Sequence, residues 1–185
     1  MTTTAAPPAA VTKPGLIHNM PDAVRVPVGE GHYALVDRDD LHLVEGHTWS
    51  LLRGHTGKLY AYASGTVYMH RLIAQTPAGM ETDHINGDGL DNRRSNLRHA
   101  TASQNRANTG KPARPDGSRH SSRFKGVSWD RSRGRWQAKI TVNGLCRNLG
   151  RYDYEESAAA AYDRAALAAW GEFAYLNFPR GRVAA

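Results

Sequence analysis

Short apolar runs separated by glycine-containing turns fill the first part of the chain. VRVPV, HYALVD, KLYAYA and TVYMHRLI, from Val24 to Ile73, read as antiparallel strands with turns such as Gly29 to Gly31 and Ser64-Gly65 between them. Trp49 and Tyr68 are expected in their core, and Asp37, Asp39 and Asp40 in a solvated turn. From Arg123 the strand pattern returns in KGVSW, RWQAKIT and LCRNLG, the last two joined by Asn143-Gly144, a pair suited to a two-residue type I′ hairpin. A helix follows. Asp153 with Glu156 three residues on has the form of a capping box, an alanine-rich run reaches Ala169, and Gly171 ends it. Ala158, Ala161, Ala165 and Ala169 would give this helix a narrow face of small side chains, close on the sheet, with Tyr162 and Leu167 at its edges.

Between these regions lies DHINGDGLDNRRSNLRHATASQN, Asp83 to Asn105. Asp83 and His84 sit where a strand should end, because Gly87 and Gly89 mark a turn. Asn96 to Ala100 reads as a second strand, and Thr101 can cap a short helix that stops near Gly110. The resulting fold class is α+β: N-terminal antiparallel strands leading into a strand-loop-strand-helix unit, then a three-stranded antiparallel sheet packed on one α-helix. Residues 1 to 20, rich in Thr, Ala and Pro, form a tail. Residues 21 to 110 make one module, 111 to 122 a flexible basic linker (KPARPDGSRHSS lies here), 123 to 179 a second module and 180 to 185 a last tail.

Charge sharpens this picture. The 185 residues carry a formal net charge of +7, which suits a polyanion and, taken alone, a membrane surface equally well. The charge is not spread evenly, since residues 106 to 151 hold 12 basic and 2 acidic residues, net +10. One cysteine, Cys146, excludes an intrachain disulfide and a zinc site built from a cysteine cluster. The N-terminus lacks the charged and apolar regions of a secretion signal, and no apolar run reaches the ~18 residues of a membrane span, so a cytoplasmic location is expected.

Carboxylate, imidazole and amides within 23 residues suggest a metal-dependent phosphodiesterase centre. Asp83 and Asn105 offer oxygen ligands of the kind Mg²⁺ takes, one ion being enough, and His84 would be the general base. The bland alternative keeps Asp83 and Asn105 as turn and cap residues and His84 as a half-buried polar group. His70 is open between an auxiliary catalytic role and a hydrogen-bonded strand position, and His99 reads as a solvated strand residue. These residues resemble an HNH endonuclease of the homing or phage type: His84, Asn96 and Asn105 fall at the three pattern positions, and HRLI (His70 to Ile73), DNRRSNLR (Asp91 to Arg98) and SQN (Ser103 to Asn105) are similar to its flanking words. The resemblance implies that Asn96 holds the loop and orients the base, and it agrees with one divalent ion, Mg²⁺ or similar, while the single cysteine excludes the zinc-bound subtype of that family. Arg98 is expected at the DNA.

In RWQAKIT, Trp136, Ala138 and Ile140 alternate with Arg135, Gln137, Lys139 and Thr141, so one face meets the helix and the other is basic and outward. A small sheet of this kind can enter the major groove. Lys125 to Pro179 resembles the plant ethylene-response-factor (Apetala-two) DNA-binding domain through KGVSW, RWQAKI, LGRYDYEESAAAAYDRAA and LNFP. That resemblance implies duplex-DNA contacts by Arg131, Arg133, Arg135, Gln137, Lys139 and Asn148, with Arg147 added although its parity with Leu149 turns it inward. Ser128, Cys146 and Arg147 depart from the plant pattern, so the plant target sequence does not transfer. Trp129 shares parity with Val127 and reads as core. The function expected is a DNA endonuclease, monomeric, producing a nick or a double-strand break. A DNA-binding regulator with an inactive HNH core is the alternative, and an RNA-binding role is disfavoured because the outer face lacks aromatics for base stacking.

Overall fold

The computed structural model describes residues 22–54, 57–111 and 117–179, so both expected tails and residues 112–116 of the expected linker lie outside the described residues. The chain is a mixture of small antiparallel sheets and helices, ending in a three-stranded sheet packed on one helix. No helix among the described residues is long and apolar enough to cross a membrane.

The first half opens with a hairpin of β1 (Ala23–Pro27) and β2 (Tyr33–Asp37), followed by the short helix α1 (Leu41–Val44). A three-stranded antiparallel sheet then joins β3 (Ser50–Arg53), β4 (Leu59–Ala63) and β5 (Val67–Tyr68). The run TVYMHRLI does not stay extended. Its strand ends at Tyr68 and helix α2 (Met69–Ala74) takes over, because the straight-chain residues from Met69 favour helix and place Met69 and Ile73, four apart, together in the core. His70 is therefore a helical residue, not a strand one. Val28, Val36, Val44, Trp49, Met69 and Ile73 form the buried core here, and Leu97 packs against it.

β6 (Glu81–His84) and β7 (Leu97–Ala100) pair antiparallel, with Asp83 opposite Arg98 and His84 opposite Leu97. Helix α3 (Ala102–Ala107) follows at once and is closed by a full capping box: the Thr101 hydroxyl accepts from the Gln104 amide while the Gln104 side chain accepts from the Thr101 N–H. The helix stops at Ala107, short of Gly110, and Asn96 belongs to a 3₁₀ turn before β7 rather than to the strand.

The last sheet orders β10 (Leu145–Tyr152), β9 (Arg135–Val142) and β8 (Val127–Asp130), with Asn143 and Gly144 both at positive φ in the hairpin turn, as its type I′ reading requires. Helix α4 (Glu155–Trp170) lies on it. Its start differs from expectation: Tyr154 is the N-cap and no side-chain cap bond forms, while the Asp153 carboxylate sits 3.1 Å from Arg135 Nη2 instead. Glu155 and Glu156 still place negative charge in the first turn, where the helix dipole favours it. The buried face is Ala158, Ala159, Ala161, Tyr162 and Ala166, rotated from the predicted stripe so that Ala169 is exposed. Gly171 ends the helix at φ +55.

Candidate functional site

A pocket of about 590 Å³ opens where β6, α2, β4 and α3 meet, and Asp83, His84, Asn105 and His70 all line it. Glu81, Tyr60 and Tyr68 share the lining. Asn96 is not in the lining. Four of the five residues expected at the reacting centre are thus brought together from segments far apart in sequence.

His84 ends β6 and is buried. Its Nε2 lies 3.3 Å from Asn92 Oδ1, and the Asn92 amide is oriented by its Nδ2, which faces the Leu90 carbonyl at 3.3 Å and the Met69 sulfur at 3.5 Å. Asn92 therefore presents an acceptor. Nε2–H donates, and the unshared pair is on Nδ1. Burial holds the His84 pKa below the ordinary imidazole value, partly opposed by the Asn92 hydrogen bond and the Asp83 charge. The His70 ring meets His84 edge-on at 5.0 Å, with Tyr60 and Tyr68 rings at 5.8 and 5.4 Å from His70.

Burial first, then His84 and Arg71, push the His70 pKa down to about 3, and its buried Nδ1 has no hydrogen-bond partner. Since the unfolded chain takes up this proton near pH 6.5 and the fold does not until about 3, stability is lost as pH falls through that window, at up to ~1.4 kcal/mol per pH unit. Urea midpoints measured from pH 7 to 4 should fall less steeply in His70→Phe than in the wild type. Equal slopes would mean that His70 charges freely in the fold.

Both candidate oxygen ligands are held by neighbouring side chains. Asp83 Oδ1 accepts from Asn108 Nδ2 at 2.9 Å, and Oδ2 accepts from Arg98 Nε at 2.8 Å. Asn105, on α3, donates Nδ2 to Glu81 Oε2 at 2.6 Å, which leaves its Oδ1 for a ligand. Among the described residues no group of three or more His, Cys, Asp or Glu side chains converges as a metal site. A hard cation that keeps several waters and takes a phosphate oxygen needs only one or two protein oxygens, so Asp83 and Asn105, with Glu81 beside them, fit Mg²⁺ chemistry.

The 85–96 loop is fastened at nearly every residue. Asn96 Oδ1 accepts from the Asn86 N–H and its Nδ2 donates to the Asp91 carbonyl, so Asn96 holds the loop, while the His84 imidazole is oriented by Asn92. Asp91 takes Arg93 and Asn86, and Arg94 forks onto Asp40. Asp37 accepts from the Arg94 N–H. Asp37 and Asp40, expected with Asp39 in a solvated turn, are thus anchors, Asp40 only 3% exposed, while Asp39 is exposed as expected. Gly89 is required by close approach, since a Cβ there would stand 2.3 Å from the Leu59 carbonyl oxygen of β4. Asn92, Asn108 and Glu81 were not singled out from sequence. Glu81 had a usable signal, its i−2 position to Asp83 on one strand face, whereas Asn92 and Asn108 had none beyond their type.

Arg98, expected at DNA, is directed inward: its side chain is 12% exposed and bound to Asp83 and to Glu172. His99 is exposed, with Nε2 2.8 Å from the Ala74 carbonyl. On the last sheet, opposed pairs Lys139 with Asn148, Gln137 with Arg151 and Asp130 with Arg135 share the outer face. Arg131, Arg133, Arg135, Lys139 and Asn148 are exposed and Gln137 half-buried. Arg151 crosses to Asp130 at 2.8 Å, and hydrogen bonds from Ser132 and Arg151 hold the Asp130 carboxyl down at about 2. Arg147 pairs with Ile140, on the helix side, yet is exposed. Trp129 stacks edge-on against Trp136 at 5.0 Å on that same side, 39% exposed.

Comparison with known proteins matches both regions. A family model described as HNH endonuclease matches residues 67–107, and one described as AP2 domain matches residues 122–172. An uncharacterized HNH endonuclease of Acanthamoeba polyphaga mimivirus is 31% identical over 155 residues, 80% of this chain and 76% of the relative. An AP2-like ethylene-responsive transcription factor of Arabidopsis thaliana is 44% identical over 61 residues, 33% of this chain and 20% of the plant protein. A second, of Oryza sativa subsp. japonica, is 41% identical over 66 residues, 31% of this chain and 10% of that protein. The chain thus spans a fifth or less of these two plant proteins.

Proposed function

We propose, for a chain that belongs to the HNH endonuclease family, that the pocket between Asp83 and Asn105 hydrolyses phosphodiester bonds of duplex DNA in a metal-dependent reaction. The observation that carries this reading is the His84 imidazole, buried and lowered in pKa, with Nε2 committed to Asn92 and Nδ1 unshared, in a pocket that Asp83 and Asn105 also line. In this reading β6, β7 and α3 form the ββα-metal core of residues 21–110, and 123–179 is the DNA-binding module. Asp83 and Asn105 hold one divalent ion, Mg²⁺ or similar, which supplies charge neutralisation on the phosphate. His84 Nδ1 removes the proton of the attacking water. His70, which lines the same pocket beside His84, takes an auxiliary part in this reading, through the ring edge opposite its buried Nδ1. The 85–96 loop, fixed through Asn96, keeps the base from turning. Arg131, Arg133, Arg135, Gln137, Lys139 and Asn148 present the basic sheet face to the groove, with Arg147 at its border.

Incubation of the purified chain with supercoiled plasmid tests this. Nicked or linear product should form with Mg²⁺ and vanish with EDTA, and Asp83→Ala should lose most of the activity and need more Mg²⁺ for what remains. Cleavage that survives EDTA would remove the metal from the mechanism. DNA binding without cleavage by any divalent ion would leave a DNA-binding regulator.

A further inference from the structure

Among the described residues, two sets of contacts from the C-terminal module to the catalytic half lead to Asp83. The first is Arg98. Its Nε donates to Asp83 Oδ2 at 2.8 Å, and Nη2 lies 2.7 Å from the same oxygen as an ion-pair contact. The opposite edge of the guanidinium belongs to the other module: Nη1 donates to the Glu172 carbonyl at 2.9 Å and stands 3.3 Å from its carboxylate. The Phe173 ring covers the guanidinium face at 4.0 Å. Glu172 and Phe173 belong to the 3₁₀ turn that directly follows α4.

The second place is the end of α3. Asn108, its C-cap, gives one amide group to Asp83 Oδ1 and Oδ2 and to the His84 carbonyl, at 2.9, 3.1 and 2.9 Å. The last α3 carbonyls are taken by the other module: Lys125 Nζ donates to Ala107 O at 2.8 Å and to Thr109 O at 2.5 Å, and Tyr175 N–H donates to Ala107 O at 3.2 Å. Asn177 fixes Lys125 in turn, accepting from its N–H at 2.7 Å and donating to its carbonyl at 3.1 Å. Asn177 is itself held by the buried carboxylate of Asp163 on α4.

A carboxylate 3% exposed keeps a defined orientation only if its partners do, and each partner of Asp83 is braced by residues 125 and 172–177. We propose that the C-terminal module is a structural part of the metal centre: Phe173 and Glu172 hold Arg98, and Arg98 is a positioning residue that sets the Asp83 carboxylate for ligation. This rests on the reading of Asp83 as a metal ligand. The module then has a second role besides carrying the nuclease to DNA. Partners that orient a ligand typically change metal affinity by ~10- to 100-fold when removed.

The test uses the full chain and Mn²⁺ as the probe, with bound ion counted by electron paramagnetic resonance in the absence of DNA, and duplex-DNA affinity measured separately in EDTA. Phe173→Ala should weaken Mn²⁺ binding by roughly ten-fold or more and leave DNA affinity in EDTA unchanged, while Phe173→Tyr, which keeps the ring face, should match the wild type. Phe173→Leu keeps apolar bulk without the ring face and reads the same contact if the alanine variant fails to fold. Asp83→Ala separates the two ideas. If it leaves Mn²⁺ binding intact, Asp83 is not a ligand and the reading beneath the proposal fails. If it abolishes binding while Phe173→Ala and Phe173→Leu bind Mn²⁺ as the wild type does, the reading stands and the coupling is overturned. A parallel loss of Mn²⁺ and DNA affinity in all Phe173 variants would also overturn it, as general destabilisation.

Discussion

His84→Ala is expected to lower plasmid cleavage by roughly 10²- to 10⁴-fold, about 3 to 5 kcal/mol of barrier, with duplex-DNA affinity in EDTA unchanged. The size follows from what the imidazole is spared as well as from what it does. Burial depresses its pKa, so it is already neutral at pH 7 and no proton has to leave before it can accept one. Its Nε2 is committed to Asn92, so the reactive nitrogen is fixed rather than shared between tautomers. The selectivity follows from position: His84 is at the end of β6, while the exposed basic residues expected to carry affinity are on β9, β10 and the turn before β9. Matched single-turnover rates and binding curves check both halves. Full nicking by the alanine variant would take His84 out of the mechanism, and an equal loss of binding would make it a structural residue.

The parts of this protein that could be read from sequence are those whose cause is local. Asn143-Gly144 dictates its turn through positive φ, Trp136, Ala138 and Ile140 declare a buried face by alternation, and Thr101 with Gln104 closes α3 within four residues. The strand and helix that follow one another at Tyr68 were not separable, because an apolar run of eight residues suits either until the core at Met69 and Ile73 is known. The Asp153 and Glu156 pair had the spacing of a cap without its geometry. The helix begins after Tyr154, and Asp153 is drawn to Arg135 across the sheet.

At the site the same division holds. Asp83, His84 and Asn105 stood out because the proposed metal-dependent hydrolysis would need those groups, and His70 because it precedes them in a recognisable word; all four line one pocket. Their supports were not. Asn92 orients His84 across eight residues, Asp40 anchors Arg94 across 54, and Glu172 meets Arg98 across 74. Nothing in the periodicity of a sequence reports such partners. Arg98 shows the consequence: a basic residue in a basic, DNA-associated chain reads as a phosphate contact, yet a buried carboxylate opposite it on the neighbouring strand claims it first.

Gly126→Ala should produce the largest loss of stability among single-methyl additions in the second module, on the order of 2–5 kcal/mol from overpacking and left-handed backbone strain together. Gly126 precedes β8 at φ +75, a region that side chains other than glycine's enter at a cost. Its carbonyl accepts from the Lys139 N–H at 2.8 Å, which holds its backbone against β9. An added Cβ would stand 2.0 Å from Tyr162 Cδ2 and 2.7 Å from the Lys139 carbonyl oxygen. Neither can retreat easily. Tyr162 is 3% exposed and packed with Ile140 and Ala166, so moving its ring would disrupt that packing, and the Lys139 oxygen belongs to the central strand. Against a total of ~5–15 kcal/mol for a folded domain this is a large fraction. Chemical denaturation should show an earlier transition in the variant, and duplex-DNA affinity should fall wherever that transition is entered. A midpoint within error of the wild type would mean that β8 can move off Tyr162 without cost, and that the close contact of this strand, β9 and α4 does not hold the sheet in shape.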